Sequence, residues 1–81
     1  MQCLVYRSTR RPDTYLLTDR GDSFDHIPAA LLEHLGRLEL AFEFTLTPER
    51  RLARTDGRRV MEHIERDGYY LQLPEREYAA S

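Results

Sequence analysis

Leu38-Glu39-Leu40-Ala41-Phe42-Glu43-Phe44-Thr45-Leu46 alternates large apolar residues with smaller or polar ones without a break. A period of two marks a β-strand with one face on a core, because successive side chains leave opposite sides of the pleat. The alternation predicts Leu38, Leu40, Phe42, Phe44 and Leu46 on one face and Glu39, Glu43 and Thr45 on the other. Thr47-Pro48 ends the run, since proline lacks the donor that a ladder requires.

Working outward from this strand, the preceding residues carry a helix signal. Pro28 suits the first helical position, where its missing donor is not needed, and Gly36 suits a left-handed cap. Between them Ile27, Leu31, Leu32 and Leu35 recur at helical spacing. Further back, Leu4-Val5-Tyr6 and Thr14-Tyr15-Leu16-Leu17-Thr18 are β-prone runs joined by Ser8-Thr9-Arg10-Arg11-Pro12-Asp13, whose proline and aspartate favour a turn. An antiparallel hairpin is the simplest arrangement. Apolar residues on both faces of these runs place them inside the sheet rather than at its edge.

Beyond the central strand, residues 49–54 form a connection in which Leu52 and Ala53 tuck against the core. Thr55 or Asp56 caps a second helix, with Val60, Met61 and Ile64 as its buried stripe, Glu62 and Arg66 four apart in the favourable order, and Gly68 as its stop. Tyr69-Tyr70-Leu71-Gln72-Leu73 is the last strand, ended by Pro74. Tyr69, Leu71 and Leu73 alternate into the core. Tyr70 and Gln72 face the other way, either under a helix, where the amide needs partners, or as an exposed pair fit for an interface. The order β-β-α-β-α-β describes an α+β domain, a layered α/β/α-like sandwich of about four mostly antiparallel strands and two main helices over residues 1–74, with a short polar tail over 75–81.

Composition narrows the function classes. At 81 residues the chain holds one domain with a thin core, which disfavours a deep, water-excluding active site. A single cysteine, Cys3, forms no internal disulfide and points to a reducing compartment. No signal peptide or membrane-length apolar stretch is present, so a cytoplasmic location is expected and no membrane partner. All 12 basic residues are arginine, against 14 acidic ones, giving a net charge of −2. That balance argues against a protein that coats nucleic acid. Charge is nonetheless segregated: +2 over residues 1–18, −4 over 19–43, +3 over 44–61 and −3 over 62–81.

The chain resembles the YcgL family of small bacterial proteins. The resemblance rests on Cys3-Leu4-Val5-Tyr6-Arg7-Ser8 followed by Thr14-Tyr15-Leu16, on the spacing of Phe24, Pro28, Leu32 and Gly36, on Leu52-Ala53 with Asp56 shortly after, and on Gly68-Tyr69-Tyr70-Leu71-Gln72-Leu73-Pro74. It implies a cytoplasmic α/β/α-layered domain, found mainly in gammaproteobacteria, without an established biochemical role. Family genes often neighbour the one for ribonuclease D, which implies at most a link to RNA metabolism. Two departures stand out. Leu17 occupies a position where the family often has tyrosine, and a single Pro74 with a short tail replaces a longer proline-rich extension.

Two arginine groups are the candidate site. Arg50, Arg51, Arg54, Arg58 and Arg59 lie within residues 50–59, and Arg58 and Arg59 fall in the first helical turn, where the dipole disfavours cations. A bound phosphate or carboxylate would offset that cost; so would plain solvation, with Asp56 capping the helix and Arg58 paired to Glu62. Arg7, Arg10 and Arg11 surround the first turn beside Tyr6 and Tyr15, the residue types with which single-stranded RNA is held, unless the tyrosines are core residues. His26, His34 and His63 lack metal-ligand spacing, and Cys3 reads as a small buried hydrophobe, or as a reactive thiol if Arg7 and Arg10 lower its pKa. Ser8 with a distant histidine, or Asp22 with Asp25, comes without a surrounding catalytic motif. The expectation is a non-catalytic interaction module, without cofactor or metal, that binds a protein or anionic partner through its arginine-rich surface. The alternative is an RNA-associated factor or weak nuclease-type enzyme.

Overall fold

The computed structural model describes residues 1–52 and 55–74. Its elements are β1 (Gln2–Ser8), β2 (Tyr15–Thr18), α1 (Ala29–Leu35), β3 (Leu38–Thr45), α2 (Gly57–Asp67) and β4 (Tyr70–Gln72), in the expected order. The strands form one antiparallel sheet in the order β3-β1-β2-β4. The two strands that are apolar on both faces occupy its centre. Each face carries one helix. Val60 and Ile64 of α2 pack with Cys3, Val5, Leu17 and Leu46, while on the other side Leu31, Leu32 and Leu35 of α1 surround Leu16 and Ile27.

β3 departs from the alternation that announced it. Val5 pairs with Phe42 but Tyr6 pairs with Leu40, so Ala41 is an extra residue opposite β1, a β-bulge. The bulge changes the phase of the strand. Leu38 packs in the α1 cluster and Leu40 lies opposite Tyr6, whose ring meets Phe24 of that same cluster. Phe42 lies opposite Val5, and Phe44 packs in the α2 cluster with Leu46. The five apolar residues are thus divided between two faces rather than gathered on one, because one added residue inverts every later side chain. Leu40 and Phe42, flanking the bulge on the sheet's outermost strand, remain 54% and 55% exposed.

Local signals explain the ends of the elements. Pro28 is extended (ψ 134°) and accepts from Leu31 N and Leu32 N, so it caps α1 one residue ahead of the first helical position. The β1–β2 turn, with Asp13 at φ 57°, folds against the far end of that helix: Ser8 Oγ donates to Leu35 O at 2.6 Å and accepts from Arg11 N at 2.8 Å. Asp56 caps α2, its side chain accepting from Arg59 N at 2.9 Å. Gly68 leaves the helix at φ 93°, in the left-handed region. Arg66 pairs with Asp67 at 3.1 Å rather than with Glu62. Among the described residues no helix is long and apolar enough to cross a membrane.

Candidate binding groove

Eleven residues of helix, about 16 Å, do not cover a whole sheet face. α2 lies over the part of the sheet that holds Cys3, Leu17 and Tyr70, and Tyr70 is met edge-on by His63. Beside it the same face is only partly covered. Val5 from β1, Tyr15 and Leu17 from β2, Phe42 and Phe44 from β3 and Gln72 from β4 line a groove of about 220 Å³, walled by Arg50 and Leu52 from the segment before α2.

That wall is fixed by backbone contacts. Arg50 N donates to Thr47 O at 3.1 Å, Arg50 O accepts from Gly57 N at 2.7 Å, and Arg51 forms a bridge with Asp56. The guanidinium of Arg50 consequently sits 4.6 Å from the centre of the Phe44 ring, a cation–π contact at the apolar floor. Farther along this face Arg7 lies beside Tyr15 in the register and donates to Glu39 at 2.9 Å, with Arg37 at 3.6 Å from the same carboxylate. The hydrogen bond from Arg7, above all, and the charges of both arginines hold the Glu39 carboxyl below the usual carboxylate range, outweighing the opposing effect of burial.

The candidate residues separate by face. Arg7, Tyr15 and Arg50 come to the groove side. Tyr6 is buried on the α1 side with its ring edge-on to Phe24, 5.1 Å between centroids, and so offers no open face for stacking. Arg10 and Arg11 turn toward the end of α1, where they meet Glu33 O at 2.8 Å and His34 Nδ1 at 3.3 Å. Arg51, Arg58 and Arg59 are exposed, and Arg54 lies outside the described residues together with Ala53 and the tail. Sequence reasoning passed over Phe42, Phe44, Leu17, Leu52 and Val5 as site residues, since alternation marked them as core. Gln72, weighed as either buried or exposed, is half-buried in the groove, while its companion Tyr70 is under the helix.

Among the described residues that line the groove, the polar groups are a guanidinium, an amide and a phenol, with no carboxylate, imidazole or thiol. Such a set binds and orients; it contains no nucleophile with an adjacent base. Cys3 lies elsewhere, fully buried, and burial, followed by the nearby Asp19 charge, pushes its thiol up to about 11 against a lesser opposing effect of the N-terminal ammonium. Among the described residues no three histidine, cysteine or acidic side chains converge on a metal position. Ser8 spends its hydroxyl on the turn, as above.

The profile of the YcgL domain matches residues 3–75. A YcgL domain-containing protein of Stutzerimonas stutzeri is 46% identical over 72 residues, covering 89% of this chain and 74% of its own. One from Thioalkalivibrio sulfidiphilus is 46% identical over 74 residues, 91% of each chain. A longer Nitrosococcus oceani protein named "Putative HAD-like hydrolase" is 44% identical over 79 residues, which is 98% of this chain but only 21% of that one. These matches, over nearly the full length of the chain, show that it belongs to the YcgL domain family.

Proposed function

We propose that this domain is a non-catalytic docking module whose groove holds one apolar or aromatic side chain of a partner protein, with an acidic residue of the same segment meeting Arg50. The observation that carries this reading is the groove beside α2, where Phe42 is 55% exposed next to an arginine already seated on Phe44. At about 220 Å³ the groove is smaller than the roughly 300 Å³ at which small-molecule sites begin, and so suits a side chain better than a whole metabolite. Complementary charge supports an acidic segment, for residues 49–59 carry five arginines against Glu49 and Asp56. The Nitrosococcus oceani protein supports modularity as well, since there the matching stretch is about a fifth of a longer chain.

The test is a titration of isotope-labelled domain with a short synthetic peptide containing phenylalanine flanked by glutamates. Amide shifts should concentrate at Val5, Leu17, Phe42 and Gln72, and Arg50→Ala should weaken binding by about tenfold, the loss of roughly one charge-assisted contact. Shifts elsewhere, or affinity indifferent to Arg50, would refute the groove. A labelled single-stranded RNA serves as the second arm. If RNA moves the same amides more tightly than the peptide, with binding that collapses as salt rises, the RNA-associated reading replaces this one.

A further inference from the structure

β3 has an open edge that the groove does not explain. It is an outermost strand, eight residues or about 27 Å long, and among the described residues it pairs only with β1. The opposite edge, β4, is three residues and ends shortly before Pro74, which is how sheets usually blunt an edge. Among the described residues Leu40 and Phe42 are the exposed large hydrophobics, and both stand on this edge strand, one on each face. Neither length nor apolarity protects β3.

The bulge and the charges decide what can pair there. A second copy docking by a two-fold axis must oppose residues that point to the same side of the joined sheet. Ala41 puts Leu38–Leu40 and Phe42–Thr45 out of phase, so a symmetric pairing along the whole strand must centre between Ala41 and Phe42, where it sets Leu40 against Glu43 and Phe44 against Glu39, an apolar side chain against a carboxylate in each case. Within the second half, the pairing that sets Phe42 against Phe44 of the copy centres on Glu43 and brings the two Glu43 carboxylates face to face, a like-charge pairing that destabilises sheets. The strand carries no basic residue. Glu39 is already neutralised by Arg7 and Arg37, whereas Glu43 accepts only from the uncharged Gln2 amide at 3.2 Å.

From this edge we infer that a basic, extended segment of another protein adds to β3 as a fifth strand, its lysine or arginine opposite Glu43 and its apolar residues beside Phe42 and Phe44. Main-chain hydrogen bonds supply the pairing and the alternate side chains supply the choice of partner. This inference shares Phe42 and Phe44 with the proposed groove but rests on the strand edge and on Glu43, which lies on the opposite face.

The probe is a short peptide alternating valine and lysine, with its valine–glutamate counterpart as control. The lysine peptide should slow amide hydrogen exchange within Phe42–Thr45, and Glu43→Lys, at an exposed position, should weaken it at least tenfold while admitting the glutamate peptide. Equal binding of both peptides, or unchanged exchange along β3, would overturn the inference. So would sedimentation showing that the free domain dimerises and loses the dimer on Glu43→Lys, since a second copy would then own the edge.

Discussion

Gly57 opens α2 with its backbone pressed against the chain that leaves β3. A Cβ there would stand 1.8 Å from Thr47 O, a backbone atom that also accepts from Arg50 N. Gly57→Ala must therefore push the wall of the groove away from the sheet, and it should lower stability by about 2–3 kcal/mol, the range of overpacked sites, as read by urea unfolding. Gly68→Ala, strained at φ 93° but less crowded, should cost about 1 kcal/mol. Cys3 makes a different prediction. Burial pushes its thiol up to about 11 in the folded chain, from an ordinary value of 9.0 when unfolded, so the folded state holds the proton more tightly. The thiol's contribution to stability is then constant below about pH 9 and falls as pH rises toward 11, because only the unfolded chain releases the proton in that window. The same burial should leave Cys3 unreactive to a thiol reagent at pH 8 until denaturant is added; rapid labelling of the native protein would contradict its position in the core.

At the scale of elements, α2 carries the clearest unused stabilisation. Its first turn has no acidic residue beyond the Asp56 cap and instead presents the exposed Arg58 and Arg59 to the positive end of the helix. Arg58→Glu should raise stability by about 0.3–1 kcal/mol in low salt, observable as a thermal midpoint a few degrees higher, and 1 M salt should erase most of the gain. A fall would show that Arg58 binds something in the folded domain. The helices, the hairpin and the central place of β1 and β2 were legible because each follows from neighbouring residues: Asp56 three before an amide it caps, Gly68 after the last turn, apolar side chains on both faces of a strand. The groove was not legible, for a physical reason that centres on Ala41. Faultless alternation in Leu38 to Leu46 specifies one face only if the partner strand keeps step, and the step is lost opposite Val5 and Tyr6, a property of the pair rather than of either sequence. The arginines were legible as charge but not as geometry, since whether Arg7 reaches Glu39 or Arg50 reaches Phe44 depends on which strands lie side by side.

The whole molecule is a sheet between two small cores, and the cores share their strands. Leu16 faces α1 and Leu17, its neighbour in β2, faces α2, while β1 likewise sends Cys3 and Val5 one way and Tyr6 the other. Ser8 adds a hydrogen bond from β1 to the end of α1, and Thr18 donates to Gly68 O at 2.8 Å beside the end of α2. Losing either helix layer exposes one face of the strands that the other layer needs, so neither half should persist alone. Leu46→Ala in the α2 core and Leu35→Ala in the α1 core, both at positions exposed by no more than 1%, should each cost about 2–5 kcal/mol. More informative is the shape of the transition. Each variant should unfold in a single step that coincides by tyrosine fluorescence and by far-ultraviolet circular dichroism, because Tyr15 and Tyr70 report one core and Tyr69 the other. A variant in which helix signal survives after the tyrosine signal is lost would show that the two layers fold independently.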